Sequence, residues 1–153
     1  MTDTELLKTE ITDHESLMHV CDLLHDARCD MDAAVFEQEV GTWTATFKRL
    51  GTGSSVVKRG LVWDRLAIPL VESSVVLRCI ASLEVRDQSG IGTYSFGGCV
   101  LKRGVYRLEF HEALTLFVRF QDDPQGELRD TRVLDEQDTS MHVLRSRAGQ
   151  APR

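Results

Sequence analysis

Between Ser74 and Asp87 the chain alternates. Val75, Leu77, Cys79, Ala81, Leu83 and Val85 are apolar and Ser74, Arg78, Ser82, Glu84 and Arg86 polar, with Val76 and Ile80 the exceptions. A helix cannot hold a period of two, so the pattern predicts one long strand with one face on a core, paired on both sides by the strands before and after it. The period continues downstream. Tyr94–Leu101 reads as a strand with a bulge or close backbone approach at Gly97-Gly98. Tyr106, Leu108 and Phe110 alternate in the next strand, and Leu114, Leu116, Val118 and Phe120 in the one after. Turns are expected at Lys102-Arg103-Gly104, with the glycine at positive φ, and at His111-Glu112-Ala113. These four segments predict an antiparallel meander with one buried face.

Upstream the period differs. Leu17, Val20, Cys21 and Leu24 fall on one stripe at helical spacing, which predicts a helix over about 13–26. Thr12 (with Glu15 three residues on) or Asp13 would cap it. The polar, acidic Met1–Asp13 reads as an irregular arm. Cys29, Met31, Ala33 and Val35 suggest a strand leading to Phe36; a turn near Glu39–Gly41 then opens a hairpin with Trp43, Ala45 and Phe47 on its inner face. Leu50–Ser55 reads as a loop, Val56–Val57 and Leu61–Trp63 as short strands, and Leu66–Val71 as an edge or bulged strand because Pro69 cannot donate to a ladder. Val56–Val62 and Val100–Tyr106 echo one another around Lys-Arg-Gly, as two hairpins obeying the same turn chemistry would. Asp122-Asp123-Pro124-Gln125-Gly126 reads as a stop. The expected organisation is therefore one domain over 1–121, followed by a polar C-terminal extension over 122–153, with a short strand or helix near Ser140–Arg145. The fold class is α+β or mainly β: an N-terminal helix on an antiparallel meander, curled into a sandwich or half-barrel.

Composition narrows the picture. The 153 residues suffice for a self-supporting core. No apolar run approaches the roughly 20 residues of a membrane helix, and Met1-Thr-Asp-Thr-Glu lacks the basic and apolar regions of a secretory signal. A cytoplasmic protein with no membrane contact is expected, with Cys21, Cys29, Cys79 and Cys99 free and buried. The net charge of −6 is uneven: residues 1–32 carry −7, residues 33–120 carry +3 and the rest −2. That balance argues against nucleic-acid binding, which rests on neutralising phosphates. No cofactor is expected.

Candidate chemistry is sparse. Cys21, His25 and Cys29 have zinc-ligand chemistry, with His14, His19, His111 or His142 to complete a set, but the helix is expected to end before Cys29, so no metal is assigned. His25, Asp30, Asp32 and His111 could support acid–base work if they meet in space. Leu50–Ser55 resembles a phosphate cradle only superficially, lacking the Gly-Lys-Ser/Thr ending. The dyads Lys48-Arg49, Lys58-Arg59 and Lys102-Arg103 fall at expected strand ends and could form a basic rim for an anion. Among the aromatics (Trp43, Trp63, Tyr94, Tyr106, Phe117), some lie on expected polar faces. Phe117, with Val76, Ile80 and Val105, gives the meander a second apolar face, covered by the tail, another sheet or a second protomer.

Leu24-His25-Asp26-Ala27-Arg28 leading into a strand, with Trp43–Arg49 as the next, resembles a set of small, mostly uncharacterised bacterial β-rich domains, some of which look like immunity proteins of polymorphic toxin systems. The resemblance covers residues 20–50 and implies a small, acidic, non-enzymatic domain; it assigns no residue a role. Three functional readings follow: a protein-binding or accessory domain with a protein partner or a second copy, a small-ligand or anion-binding domain using the basic rim, and a hydrolase-like enzyme with a His/Asp site.

Overall fold

The structure, a computed structural model, describes residues 6–51, 55–59 and 63–144, with side chains described outside 55–59, 63–68 and 135–144. Its elements are β1 (Lys8–Ile11), α1 (His14–Leu23), β2 (Arg28–Asp30), a 3-10 turn (Met31–Ala33), β3 (Val35–Glu37), β4 (Thr42–Leu50), β5 (Ser55–Arg59), β6 (Trp63–Asp87), β7 (Thr93–Lys102), β8 (Val105–Phe110) and β9 (Leu114–Leu144). All strand pairs are antiparallel. The path β9-β8-β7-β2-β4-β6 closes on itself because β6 also pairs with β9, making a six-strand barrel. Among the described residues no helix is long and apolar enough to cross a membrane.

The mainly β class holds, but the organising strand is placed differently from expectation. β6 pairs with β4, β5 and β9, not with β7. The short β2, ending at Asp30, is wedged between β4 and β7 instead. Nor does one phase run through β6. Val75 and Leu77 are buried, but Cys79 takes a positive φ of 57 and is exposed, and Ile80 turns in at 3% exposure. A second register shift between Ile80 and Ser82 leaves Ala81 and Val85 exposed. The cause is local. The turn before β4 presses Gly41 against this bulge, and the Ile80 N–H donates to the Gly41 carbonyl at 2.9 Å.

Gly41 has φ +63, and a Cβ there would lie 2.6 Å from the Ile80 carbonyl oxygen. Torsion and contact both oppose a side chain. Gly41→Ala is expected to cost about 1–3 kcal/mol, read as a lower urea midpoint at unchanged slope. An unshifted midpoint would show that the bulge yields freely.

The helix is shorter than its apolar stripe suggested. Asp13, not Thr12, caps it, accepting from the Ser16 N–H at 2.8 Å while the Ser16 hydroxyl returns to the Asp13 backbone. Leu17, Val20, Cys21 and Leu24 are buried as the stripe requires, against Trp43, Phe47, Leu77, Phe96 and Phe110 inside the barrel. The void left there is about 20 Å³, so the helix fills the interior rather than opening it. Two readings of the N-terminal part are corrected. Residues 8–11 form β1 on β9 rather than an irregular arm, and Met31–Ala33 wind into a 3-10 turn rather than continuing a strand.

The stop at Asp122–Gly126 is an excursion within β9. The pair Arg78↔Gln125 is followed by Ile80↔Phe120, so four residues of β9 stand against Cys79 alone, among them the buried Pro124, which has no N–H to offer. The chain then re-enters the same sheet. Gly126 packs against the Val76 carbonyl with no room for a Cβ, and Leu128 is fully buried. No separate strand or helix begins near Ser140, since β9 runs unbroken to Leu144. Pro69 lies where the neighbour of β6 changes from β4 (Leu50↔Leu70) to β5 (Ser55↔Ala67), a gap in the ladder as its chemistry demands.

Candidate functional site

The outer face of β7, β8 and β9 carries the strongest concentration of unpaired chemistry among the described residues. The three-residue turn His111–Ala113 fixes the β8–β9 register, so Arg107 stands opposite Phe117 and Val105 comes beside Arg119. The tight turn at Arg103 (φ 53) and Gly104 (φ 75) fixes the β7–β8 register, placing Lys102 opposite Val105 and Val100 opposite Arg107. Neighbouring strands lie roughly 4.8 Å apart and alternate residues along a strand roughly 6.6 Å apart. Lys102, Arg103, Arg107 and Arg119 therefore surround Val105 on all sides. Together with Phe117 they line a hollow of about 360 Å³ that no acidic residue lines among the described residues.

Phe117 organises the charges beside it. The Arg86 guanidinium lies 4.6 Å from its ring centroid and the Arg107 guanidinium 5.7 Å, one from each flanking strand. Such contacts hold a guanidinium flat on an apolar surface while its N–H fork stays free. Arg86 also bonds Glu84 at 3.1 Å. The floor is half-buried and the rim of Lys102, Arg103 and Arg119 exposed. Chemically the hollow can hold a multiply charged anion over an apolar base.

The other sequence candidates scatter. Lys48 lies in a separate hollow of about 610 Å³ with Arg28, Asp30, Thr46 and Thr93. Arg49 points into the barrel at 6% exposure, donating to the Asp130 carboxylate at 2.6 Å and the Ser73 hydroxyl at 3.0 Å. Ser73 donates in turn to Asp130 at 2.6 Å, and the Leu7 N–H to the same carboxylate at 2.8 Å. This network is internally satisfied and is a structural clasp. The backbone of Lys58 and Arg59 belongs to β5; their side chains lie outside the described residues, as do those of Trp63 and His142. The three dyads thus form no single rim. Of the second-face residues, Val105 and Phe117 share the basic hollow, Val76 is half-buried between Thr44 and Glu127, and Ile80 belongs to the core. Trp43, Tyr94 and Tyr106 are core residues too.

His25 and His111 do meet, but on Asp26 rather than on Asp30 or Asp32. His25 Nδ1 lies 3.2 Å from one Asp26 carboxylate oxygen and His111 Nε2 3.3 Å from the other. Gly97 lets the His111 ring approach the sheet. Asp30 instead caps the 3-10 turn, accepting from the Asp32 N–H, and Asp32 lies against Gly92. All three members of the His–Asp–His cluster are more than half exposed, and among the described residues no hydroxyl or thiol nucleophile bonds either histidine. Cys21 and Cys29 are buried while His25 is exposed, so the zinc-like spacing brings no set together, and no metal-holding group occurs among the described residues. The neighbouring Cys99 thiol and burial push the Cys21 thiol up, and burial pushes Cys29 up to about 12, so both stay protonated.

The residues that sequence reasoning missed are Arg86, Arg107 and Arg119. Their signal was present: they share strand parity with Phe117, and a three-residue turn centred on Glu112 sets Arg107 opposite it. No protein-family model, curated protein or solved structure significantly matches the chain.

Proposed function

We propose that the chain is a non-enzymatic binding domain whose β7–β8–β9 face receives an acidic segment of a protein partner. One observation carries this reading: four cations surround an apolar floor, and among the described residues no acid lines the hollow. Like charges so close repel until an anion neutralises them, and the exposed rim keeps them open to a partner. The resemblance to immunity proteins points to a toxin as the partner, with its acidic surface the contact. A small anion bound alone is the second reading, favoured by the hollow's volume. The hydrolase-like reading has less support, since the two histidines share an exposed carboxylate and among the described residues no nucleophile lies beside it.

The test is fluorescence anisotropy with a labelled oligoglutamate peptide, oligolysine serving as control. Oligoglutamate is expected to bind, and binding should weaken as salt rises from about 50 to 200 mM because the cations are exposed. The double variant Arg107→Ser, Arg119→Ser should lose roughly tenfold or more in affinity. Equal binding by the double variant would remove this face from consideration.

A further inference from the structure

The arrangement of the four cations narrows what the acidic segment carries, an inference that rests on the reading just given. They do not lie in a line, as an extended run of carboxylates would require. Lys102 and Arg119 flank Val105 on its two neighbouring strands, Arg107 follows it on β8, and Arg103 precedes it in the turn. Four cationic side chains thus rise around one residue and line one hollow. A carboxylate carries one charge and two oxygens; four carboxylates crowded there would repel one another as strongly as the cations do. A phosphate monoester carries about −1.5 to −2 charges at neutral pH and three acceptor oxygens on one centre. It can accept from several donors at once, including the planar fork that Phe117 holds in place on Arg107.

The surroundings indicate where that phosphate is carried. A free small ligand is normally buried over most of its surface, whereas this hollow lies on the outside of a sheet with an exposed rim. It continues sideways along one cross-strand row, Phe117–Arg107–Val100, and Val100 is 49% exposed. That row, which ends at Glu84 on β6, sets the Phe117 ring and the exposed Val100 on either side of Arg107 as apolar contacts for the residues flanking a modified side chain. We propose that the ring around Val105 recognises a phosphorylated side chain within the acidic segment of a protein partner.

Three labelled peptides of otherwise identical acidic sequence, with phosphoserine, serine or glutamate at the centre, are titrated into the full chain, with inorganic phosphate as competitor. The phosphoserine peptide is expected to bind roughly tenfold or more tightly than the other two. Its advantage should shrink between pH 7 and 5, as the phosphate takes up its second proton with a pKa of about 6. Inorganic phosphate should compete only at far higher concentration. The variant Lys102→Ser, Arg103→Asn should abolish the advantage while leaving the fold intact, since asparagine tolerates the left-handed backbone at 103. Equal binding by phosphoserine and glutamate peptides overturns the phosphate inference and leaves the acidic-partner reading standing. Competition by inorganic phosphate at the peptide's own concentration overturns the partner side chain as its source. If no peptide binds, both fall.

Discussion

A chain ended at Gln121 is expected not to fold. Leu114–Phe120 would still pair with Ile80–Asp87, but the longer part of the β6–β9 seam would be gone. Gly126, Leu128 and Asp130 form that part of the seam against Leu77, Val75 and Ser73, and β1 has no other partner strand among the described residues. Ile11, Val71, Val75 and Leu77, all 3% exposed or less, would be laid open, and an opened barrel also presents unpaired strand edges. Loss of near-ultraviolet circular dichroism and of a cooperative urea transition is the expected result. A chain ended at Leu134 keeps both seam and clasp and is expected to retain them. A cooperative, monomeric 1–121 fragment would show that the seam is dispensable.

The second large effect is expected at Asp130→Ala. The Arg49 and Asp130 side chains are 6% and 0% exposed, and the carboxylate takes hydrogen bonds from Arg49, Ser73 and the Leu7 backbone. Truncating it leaves a buried guanidinium with no counter-charge, which typically costs about 3–5 kcal/mol. For a domain whose total stability is of the order of 5–15 kcal/mol, that is a large share. The apolar replacement Arg49→Met, Ser73→Ala, Asp130→Leu is expected to recover most of the loss, because no uncompensated charge then remains. Urea denaturation of the three proteins checks this. A loss below about 1 kcal/mol in the single variant would mean that water reaches the guanidinium.

These two cases also mark where sequence reasoning stops. The alternation at Trp43–Phe47 and Tyr106–Phe120 was legible because a strand with one buried face must show its period. Arg49 keeps the inward parity of Trp43, Ala45 and Phe47, so its direction was legible too, but not its meaning. Its partner lies 81 residues away, and nothing local announces a buried ion pair. The Asp122–Gly126 punctuation marks an irregularity but not an end of the sheet, since turn chemistry cannot distinguish a chain leaving a sheet from one returning to it. The β6 alternation misled beyond Leu77 because the bulge at Cys79 is forced from outside, by Gly41. The basic hollow was half legible. Its members were visible as Lys102-Arg103 and as Val105 with Phe117, but as two separate features, because only the hairpin registers unite them.

Pairing β1 with Gly126–Arg129 also has a consequence for synthesis. β1 waits for Gly126–Arg129, more than a hundred residues later, before it finds its neighbour. At typical elongation rates of about 5–20 residues per second, that delay is on the order of ten seconds. During it Ile11 and the inner residues of β4 and β6 have no closed interior to enter. The barrel is also built from contacts distant along the chain, which slows closure once the segments are available. Productive folding of this protein is therefore an event that follows the release of β9, and the emerging chain is most vulnerable to misassociation just before it.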